Sequence, residues 1–263
     1  MALIMVSIVI NLSEVIVSKS FRYNHPKLYK LYQEFIGDIY YEIICVGFFV
    51  RLYKRIKMNS LEKTITNPVD YIFLYGRHGL YNLHTFQTKS EILELYNIIR
   101  ELQPEIICEI GTDNGATLYL WSKTLKHNGL IISIDLPRLY RKSVNRFLKS
   151  FFNKSQQANF IRENSHSANS VKILTDMLKG RSIDFLFIDG DHSYEGVRED
   201  YHLFSKFVKK NGIIAFHDIS VEDKKTGYVC GVKRFWNEIK GDHPNREIIE
   251  KGGLGIGILY KSD

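Results

Sequence analysis

EIICEIGTDNGAT, residues 105–117, sets the reading of the chain. Residues 105–111 form a short, nearly continuous apolar run that stops at Gly111. Gly115 follows four residues later, and ATLYLWSKTL then reads as a helix ending before Asn128–Gly129. An apolar run this short, followed by glycines and a helix, predicts a strand buried on both faces that turns tightly into a crossover helix.

The same alternation continues in both directions. Upstream, TKSEILELYNIIREL spaces Ile92, Leu93, Leu95, Ile98, Ile99 and Leu102 as a helix, with Thr88 or Ser90 as cap and Pro104 as stop. Downstream, residues 129–135, 158–164, 182–189 and 212–218 read as further strands. Between the last two, Tyr194, Val197, Tyr201, Phe204 and Val208 fall on one helical face. Residues 246–261 break the alternation, because two apolar runs meet at Gly252–Gly253 with no room for a helix. The expected fold is α/β and Rossmann-like: a doubly wound sheet, mostly parallel, closed at one edge by a C-terminal antiparallel hairpin.

In such a sheet, ligands lie beyond the carboxyl ends of the strands. The first strand ends on Glu109, Gly111 and Gly115, and the second ends on Asp135. Asp135 is placed to accept both hydroxyls of a ribose. A dinucleotide would call for GxGxxG and a pyrophosphate on the helix terminus. The pattern here is ExGxxxG, which favours a cofactor with a ribose and no phosphate, S-adenosylmethionine (SAM).

Two more strand ends carry chemistry. FLFIDGDHSYEGV (185–197) brings Asp189, Asp191 and His192, and GIIAFHDI (212–219) ends in His217 and Asp218. Adjacent strands lie about 5 Å apart, so these tips should converge on the rim that holds the cofactor loop. Ser193 and Glu195 fit better as the start of the following helix.

The block from about residue 87 to 260 resembles the class I SAM-dependent methyltransferases. CEIGTDNGAT, IDGDHSYEGV, GIIAFHDI, GVKRFW and GGLGIGIL are similar to the branch with cephalosporin-hydroxylase-like proteins and macrolide-sugar O-methyltransferases. The resemblance implies seven strands with the last pair antiparallel. It also implies that Glu109, Gly111, Thr112, Asp113 and Gly115 surround the methionine portion of SAM, with Asp135 on the ribose. Where the branch has Asp-Ser-His near the adenine, this chain has Asn164, Ser165 and His166, so Asn164 and Ser165 are the candidates there. Asp189 and Asp218 become ligands of a divalent metal, with Asp189 also bordering the cofactor, and His192 becomes the general base. His217 stands where the sugar enzymes carry an acid. Its nitrogen admits Mn²⁺, Fe²⁺ or Zn²⁺ beside Mg²⁺.

The expected activity is metal-assisted O-methylation of a hydroxyl on a small molecule or sugar. Two rivals stay open: a metal-dependent hydroxylase-like enzyme, and a non-catalytic SAM-fold protein that binds a partner or membrane.

Bulk properties are compatible with this. The 263 residues are 44% hydrophobic and 25% charged, an ordinary globular balance, so a sizeable core is expected. The net charge of +7 permits an acidic partner, but no Lys/Arg run is interleaved with aromatics as in nucleic-acid modules. The three cysteines include no CxxC pair, which points to a reducing, cytoplasmic setting. Residues 1–86 read as a helical extension and an irregular, lid-like connector, and 87–263 as the transferase domain. MALIMVSIVINLSEVIVSKS lacks the basic start and cleavage site of a signal peptide, and the apolar stretch 36–50 is short for a membrane span. Residues 1–60 are expected to form packed or homo-oligomer-forming helices, with peripheral membrane contact as the alternative.

Overall fold

The computed structural model describes residues 65, 67–75, 83, 85–137, 141–221 and 230–262. The chain divides into two compact units, residues 1–60 with 138–147, and residues 61–137 with 148–263. The expectations for residues 1–60 lie outside the described residues. All that follows concerns the second unit, apart from the start of one helix.

In chain order the elements are α1 (Pro68–Tyr75), α2 (Lys89–Leu102), β1 (Ile106–Ile110), α3 (Ala116–Thr124), β2 (Leu130–Asp135) and α4 (Arg141–Lys149). Then come β3 (Gln157–Arg162), α5 (Ala168–Leu178), β4 (Ile183–Ile188), α6 (Tyr194–Phe204), β5 (Val208–His217), α7 (Val232–Ile239), β6 (Asn245–Ile248) and β7 (Ile256–Tyr260). One seven-stranded sheet runs β3-β2-β1-β4-β5-β7-β6. The first five strands are parallel, and β7 lies antiparallel between β5 and β6. This is the expected sheet with its C-terminal hairpin.

β1 and β4 are buried along their whole length, as a sheet covered on both faces requires. Side chains alternate between faces. Phe185 and Phe187 meet Trp121 of α3 edge-on, at centroid distances of 5.0 and 5.5 Å. Leu186 and Ile188 instead join Leu174, Val197, Phe204, Phe235 and Trp236 in a continuous apolar cluster on the opposite face.

Local chemistry sets the helix ends. Thr88 is the cap of α2, and it forms a capping box with Glu91. Ser193 caps α6 by accepting from the Gly196 amide, as expected. Two elements differ from the sequence reading. α6 stops at Phe204, and Val208 begins β5 rather than ending the helix. The apolar face continues through Val208 because strand and helix pack into the same cluster. Within 61–88, expected to be irregular, Pro68 starts a helix, and Asn67 Oδ1 accepts from the Val69 amide at 2.9 Å. No helix among the described residues is long and apolar enough to cross a membrane.

Candidate active site

The tips of β2, β1 and β4 are joined by backbone bonds at the carboxyl rim. The Gly111 amide donates to the Ile134 carbonyl, and the Asp189 amide to the Ile110 carbonyl, both at 2.9 Å. Gly111 has φ +88°, and a Cβ there would overlap the Asp189 carbonyl oxygen. The sequence reading takes this glycine as part of a tight strand-to-helix turn. The structure adds that it lets two strand tips touch. Gly115, at φ +84°, closes the turn by donating to the Thr112 carbonyl at 2.8 Å.

Around this loop, Thr112 is buried, and its amide donates to Asp135 Oδ2 at 3.3 Å. Asp135 is half-buried at the end of β2, and Asp113 is exposed. Asn164 is exposed after β3, with Oδ1 accepting from the His166 amide at 3.0 Å, and Ser165 is half-buried beside it. Glu109 is fully buried on the α3 side of the sheet. Its Oε1 accepts from Thr117 Oγ1 at 2.6 Å and Trp121 Nε1 at 3.0 Å, while Oε2 has no partner among the described residues. Burial, with the charges of Asp189 and Asp135 in support and the two hydrogen bonds in opposition, pushes the Glu109 carboxyl up to about 8.

The four candidates on β4 and β5 form one cluster. His192 Nδ1 lies 2.6 Å from Asp218 Oδ2, and its Nε2 lies 3.6 Å from Asp189 Oδ1. His217 Nδ1 is 3.0 Å from both Asp189 Oδ1 and Asp218 Oδ1. Only the contact with Asp189 has hydrogen-bond geometry, so Asp218 Oδ1 and His217 Nε2 stay buried without a bond among the described residues. Asp218 has φ +68°, a conformation aspartate tolerates better than most residues. Burial opposes charging His192, but its bond to Asp218, with Cys230 and the Asp189 charge, wins and raises its pKa to about 10. The His217 pKa is also raised: burial opposes the charge, and Asp189 and Asp218 outweigh it. Asp191 belongs to the turn instead, where it accepts from the Ser193 amide at 2.9 Å.

Three neighbours went unnoticed in the sequence. Gln87, only 4% exposed, donates from Nε2 to Asp189 Oδ2 at 3.0 Å, and its Oε1 has no partner among the described residues. Cys230, 1% exposed, places Sγ 4.0 Å from Asp218 Oδ2. Asp200, fully buried on α6, lies 3.2 Å from His166 Nε2, and its carboxyl is pushed up to about 6, chiefly by burial. Each sits far in sequence from the residue it serves, so only the folded topology brings the pairs together.

Among the described residues, ligand atoms of Asp189, His192 and His217 lie within 4.8 Å of one another, while Asp218 joins His192 and Cys230 in a second such group. Asp189 Oδ1 and Asp218 Oδ1 stand 3.0 Å from His217 Nδ1, close to the spacing of adjacent ligands about 2.1 Å from an octahedral ion. The unbonded, buried Asp218 Oδ1 is an acceptor that such an ion would satisfy.

Residues 108–219 match the family model described as a methyltransferase domain. Among curated relatives, an uncharacterized protein of Acanthamoeba polyphaga mimivirus is 32% identical over 136 residues, covering 51% of this chain and 60% of its own length. A probable caffeoyl-CoA O-methyltransferase of Dictyostelium discoideum is 28% identical over 163 residues, covering 62% and 60%. The chain thus spans 60% of each of these two relatives. Among solved structures, the O-methyltransferase TomG of Streptomyces achromogenes, in complex with SAM, aligns with TM-score 0.55 and 16% identity over 87% of this chain and 96% of that one. A putative caffeoyl-CoA O-methyltransferase of Staphylococcus aureus aligns with TM-score 0.57 and 13% identity over 80% and 100%. These two structural likenesses establish the fold.

Proposed function

We propose that this chain is a class I SAM-dependent methyltransferase that moves the methyl group of SAM to a hydroxyl of a small molecule, a reading supported by the domain match and the strand order. The observation that carries this reading is the contact of Gly111, in the cofactor loop, with the backbone of Asp189, in the acid–histidine cluster. Donor and acceptor subsites then share one wall. Assignment of residues 87–263 to the transferase domain and 1–86 to an extension is part of the proposal.

The loop Gly111–Gly115, with Thr112 and Asp113, receives the methionine portion above buried Glu109. Asp135 takes the ribose hydroxyls, and Asn164 and Ser165 border the adenine. Asp189, His217 and Asp218 would hold a divalent ion of the Mg²⁺ or Mn²⁺ kind, with Fe²⁺ or Zn²⁺ admitted by the imidazole. Such an ion, when bound, lowers the pKa of a hydroxyl oxygen beside it. His192 takes the hydroxyl proton. The acceptor oxygen forms a bond to the methyl carbon as the carbon–sulfur bond breaks, and its electron pair leaves on S-adenosylhomocysteine. With both carboxylates unneutralised, His192 is protonated at neutral pH, because its pKa is about 10. It accepts a proton there only when the charge of Asp189 and Asp218 is engaged elsewhere.

The second reading, a metal-dependent hydroxylase-like enzyme, draws on Asp189, His192 and His217, whose ligand atoms lie within 4.8 Å of one another. Two histidines and a carboxylate are the set used by non-haem iron oxygenases.

The cofactor half is tested by thermal shift and calorimetry. SAM raises the melting temperature and NAD does not, and Asp135→Ala weakens SAM binding by about 1.5–3 kcal/mol. Stabilisation by NAD alone would overturn the cofactor assignment, and unchanged SAM affinity in the variant would remove Asp135 from it.

A further inference from the structure

The Asp218 carboxylate has two differently furnished edges. Oδ1 faces His217, in the oxygen-rich set considered above. Oδ2 faces His192 Nδ1 at 2.6 Å and the Cys230 thiol at 4.0 Å. Ligand atoms of His192, Asp218 and Cys230 all lie within 4.8 Å of one another. Cys230 is 1% exposed, Asp218 is buried, and the Gly231 amide donates to the His192 carbonyl at 2.8 Å, which binds the segment after Cys230 to the His192 turn.

We propose that His192, Asp218 and Cys230 form a binding site for a thiophilic divalent ion of the Zn²⁺ or Cd²⁺ class. One nitrogen, one carboxylate oxygen and one thiolate are the ligand types zinc takes, at about 2.0–2.3 Å in a tetrahedral arrangement. Ligands of such an ion stand about 3.3–3.7 Å apart. His192 and Asp218 therefore open slightly from 2.6 Å, and Cys230 and Asp218 close slightly from 4.0 Å. On binding, the thiol releases its proton to solvent, and Nδ1 must be the unprotonated ring nitrogen. Three protein ligands leave the fourth position to water. Magnesium has little affinity for a thiolate, so this site separates ions by softness rather than by charge.

The consequence for catalysis rests on the proposed role of His192. An ion on Nδ1 and Oδ2 removes the base from its hydrogen bond and claims one oxygen of the carboxylate placed in the catalytic set. Thiophilic ions would then inhibit methyl transfer at concentrations where Mg²⁺ or Mn²⁺ support it. Binding itself does not depend on that role.

The test is titration of the full chain with Cd²⁺, following the thiolate-to-metal absorption in the ultraviolet, with a parallel Mn²⁺ titration by calorimetry. One equivalent of Cd²⁺ should produce the band. Cys230→Ser should abolish it and weaken Cd²⁺ binding more than roughly tenfold, with a smaller change in Mn²⁺ affinity. Asp218→Asn, which suits the left-handed backbone there, should weaken Cd²⁺ binding too, and it serves if the cysteine variant does not fold. A wild-type protein that binds Cd²⁺ without the band overturns the proposal. A band that survives in Cys230→Ser also overturns it, by assigning the ion to another cysteine. Failure of wild type to bind Mn²⁺ would count against the catalytic metal alone, because the Cd²⁺ band judges this site independently.

Discussion

Gln87 ties Asp189 down from outside the two strand-end motifs. Its amide nitrogen holds Oδ2, which leaves Oδ1 to face both histidines. Outer-shell bonds of this kind typically govern metal affinity by about 10–100-fold. Gln87→Met, similar in length but without donor or acceptor, should weaken Mn²⁺ binding by about that range while SAM affinity stays near wild type. Mn²⁺ titration that gives equal affinities for both proteins would show that Asp189 needs no such support. Nothing in FQTK marks this glutamine as different from any loop polar, so spacing alone does not single it out. Asp189, His192, His217 and Asp218 were legible because each ends, or closely follows, a continuous apolar run. The Cys230 contact was not, since that residue stands 12 positions from Asp218 and outside both strand-end motifs.

Glu109 also acts at the scale of single residues. Its folded pKa, raised to about 8, exceeds the ordinary value of 4.5. An unfolded chain gives up this proton above pH 4.5, whereas the folded one keeps it until about pH 8. Stability from this group is therefore full below 4.5 and is lost as pH rises toward 8. Glu109→Gln, neutral throughout, should flatten the decline in unfolding free energy across that window. Urea denaturation at several pH values measures it, and parallel curves for the two proteins would contradict the assignment. His192, raised to about 10, has the same sign, and its loss begins above pH 6.5 and overlaps that of Glu109 up to about pH 8, so the difference between wild type and Glu109→Gln isolates Glu109.

Among the elements, α2 does more than cover the sheet. Glu91, fully buried at its first turn, completes the capping box with Thr88 and accepts from the Glu250 and Gly255 amides, both at 3.1 Å. The Ile219 amide in turn donates to the Gly255 carbonyl at 3.3 Å. The segment from Gln87 to Glu91 thus reaches Asp189 directly and the loop after Asp218 through the β6–β7 turn. Glu91→Ala leaves the buried Gly255 amide and the part-buried Glu250 and Thr88 amides without this acceptor, at about 1–3 kcal/mol for the buried one. Urea denaturation should register a loss of about 1–3 kcal/mol, and a change below about 0.5 kcal/mol would show that the turn is held by other means. The helix box was readable from spacing, because it is local. The hairpin contacts were not, because they join residues about 160 positions apart. Val208 was misplaced for a related reason: periodicity records which face is apolar and does not record where a helix gives way to a strand packed against the same face.

The molecule as a whole presents one rim where every proposed catalytic group meets. The alternation of apolar runs and helices was enough to fix the sheet and its closing hairpin, because parallel strands buried on both faces leave a strong pattern. The pairing of the loops at that rim depends on backbone contacts such as Gly111 with Asp189, which no spacing rule describes. In the proposed reaction, SAM and a divalent ion act across that contact, with His192 as base. Methyl transfer from SAM to a panel of phenolic and sugar hydroxyls, before and after exhaustive EDTA treatment and then with Mg²⁺ or Mn²⁺ restored, tests it most directly. Chelation should abolish transfer in wild type, and metal should restore it. Asp218→Asn should not recover with metal, and His192→Ala should lose most turnover, roughly 10²–10⁴-fold, while still binding SAM. Full activity after exhaustive chelation, or a fully active His192→Ala, would contradict it.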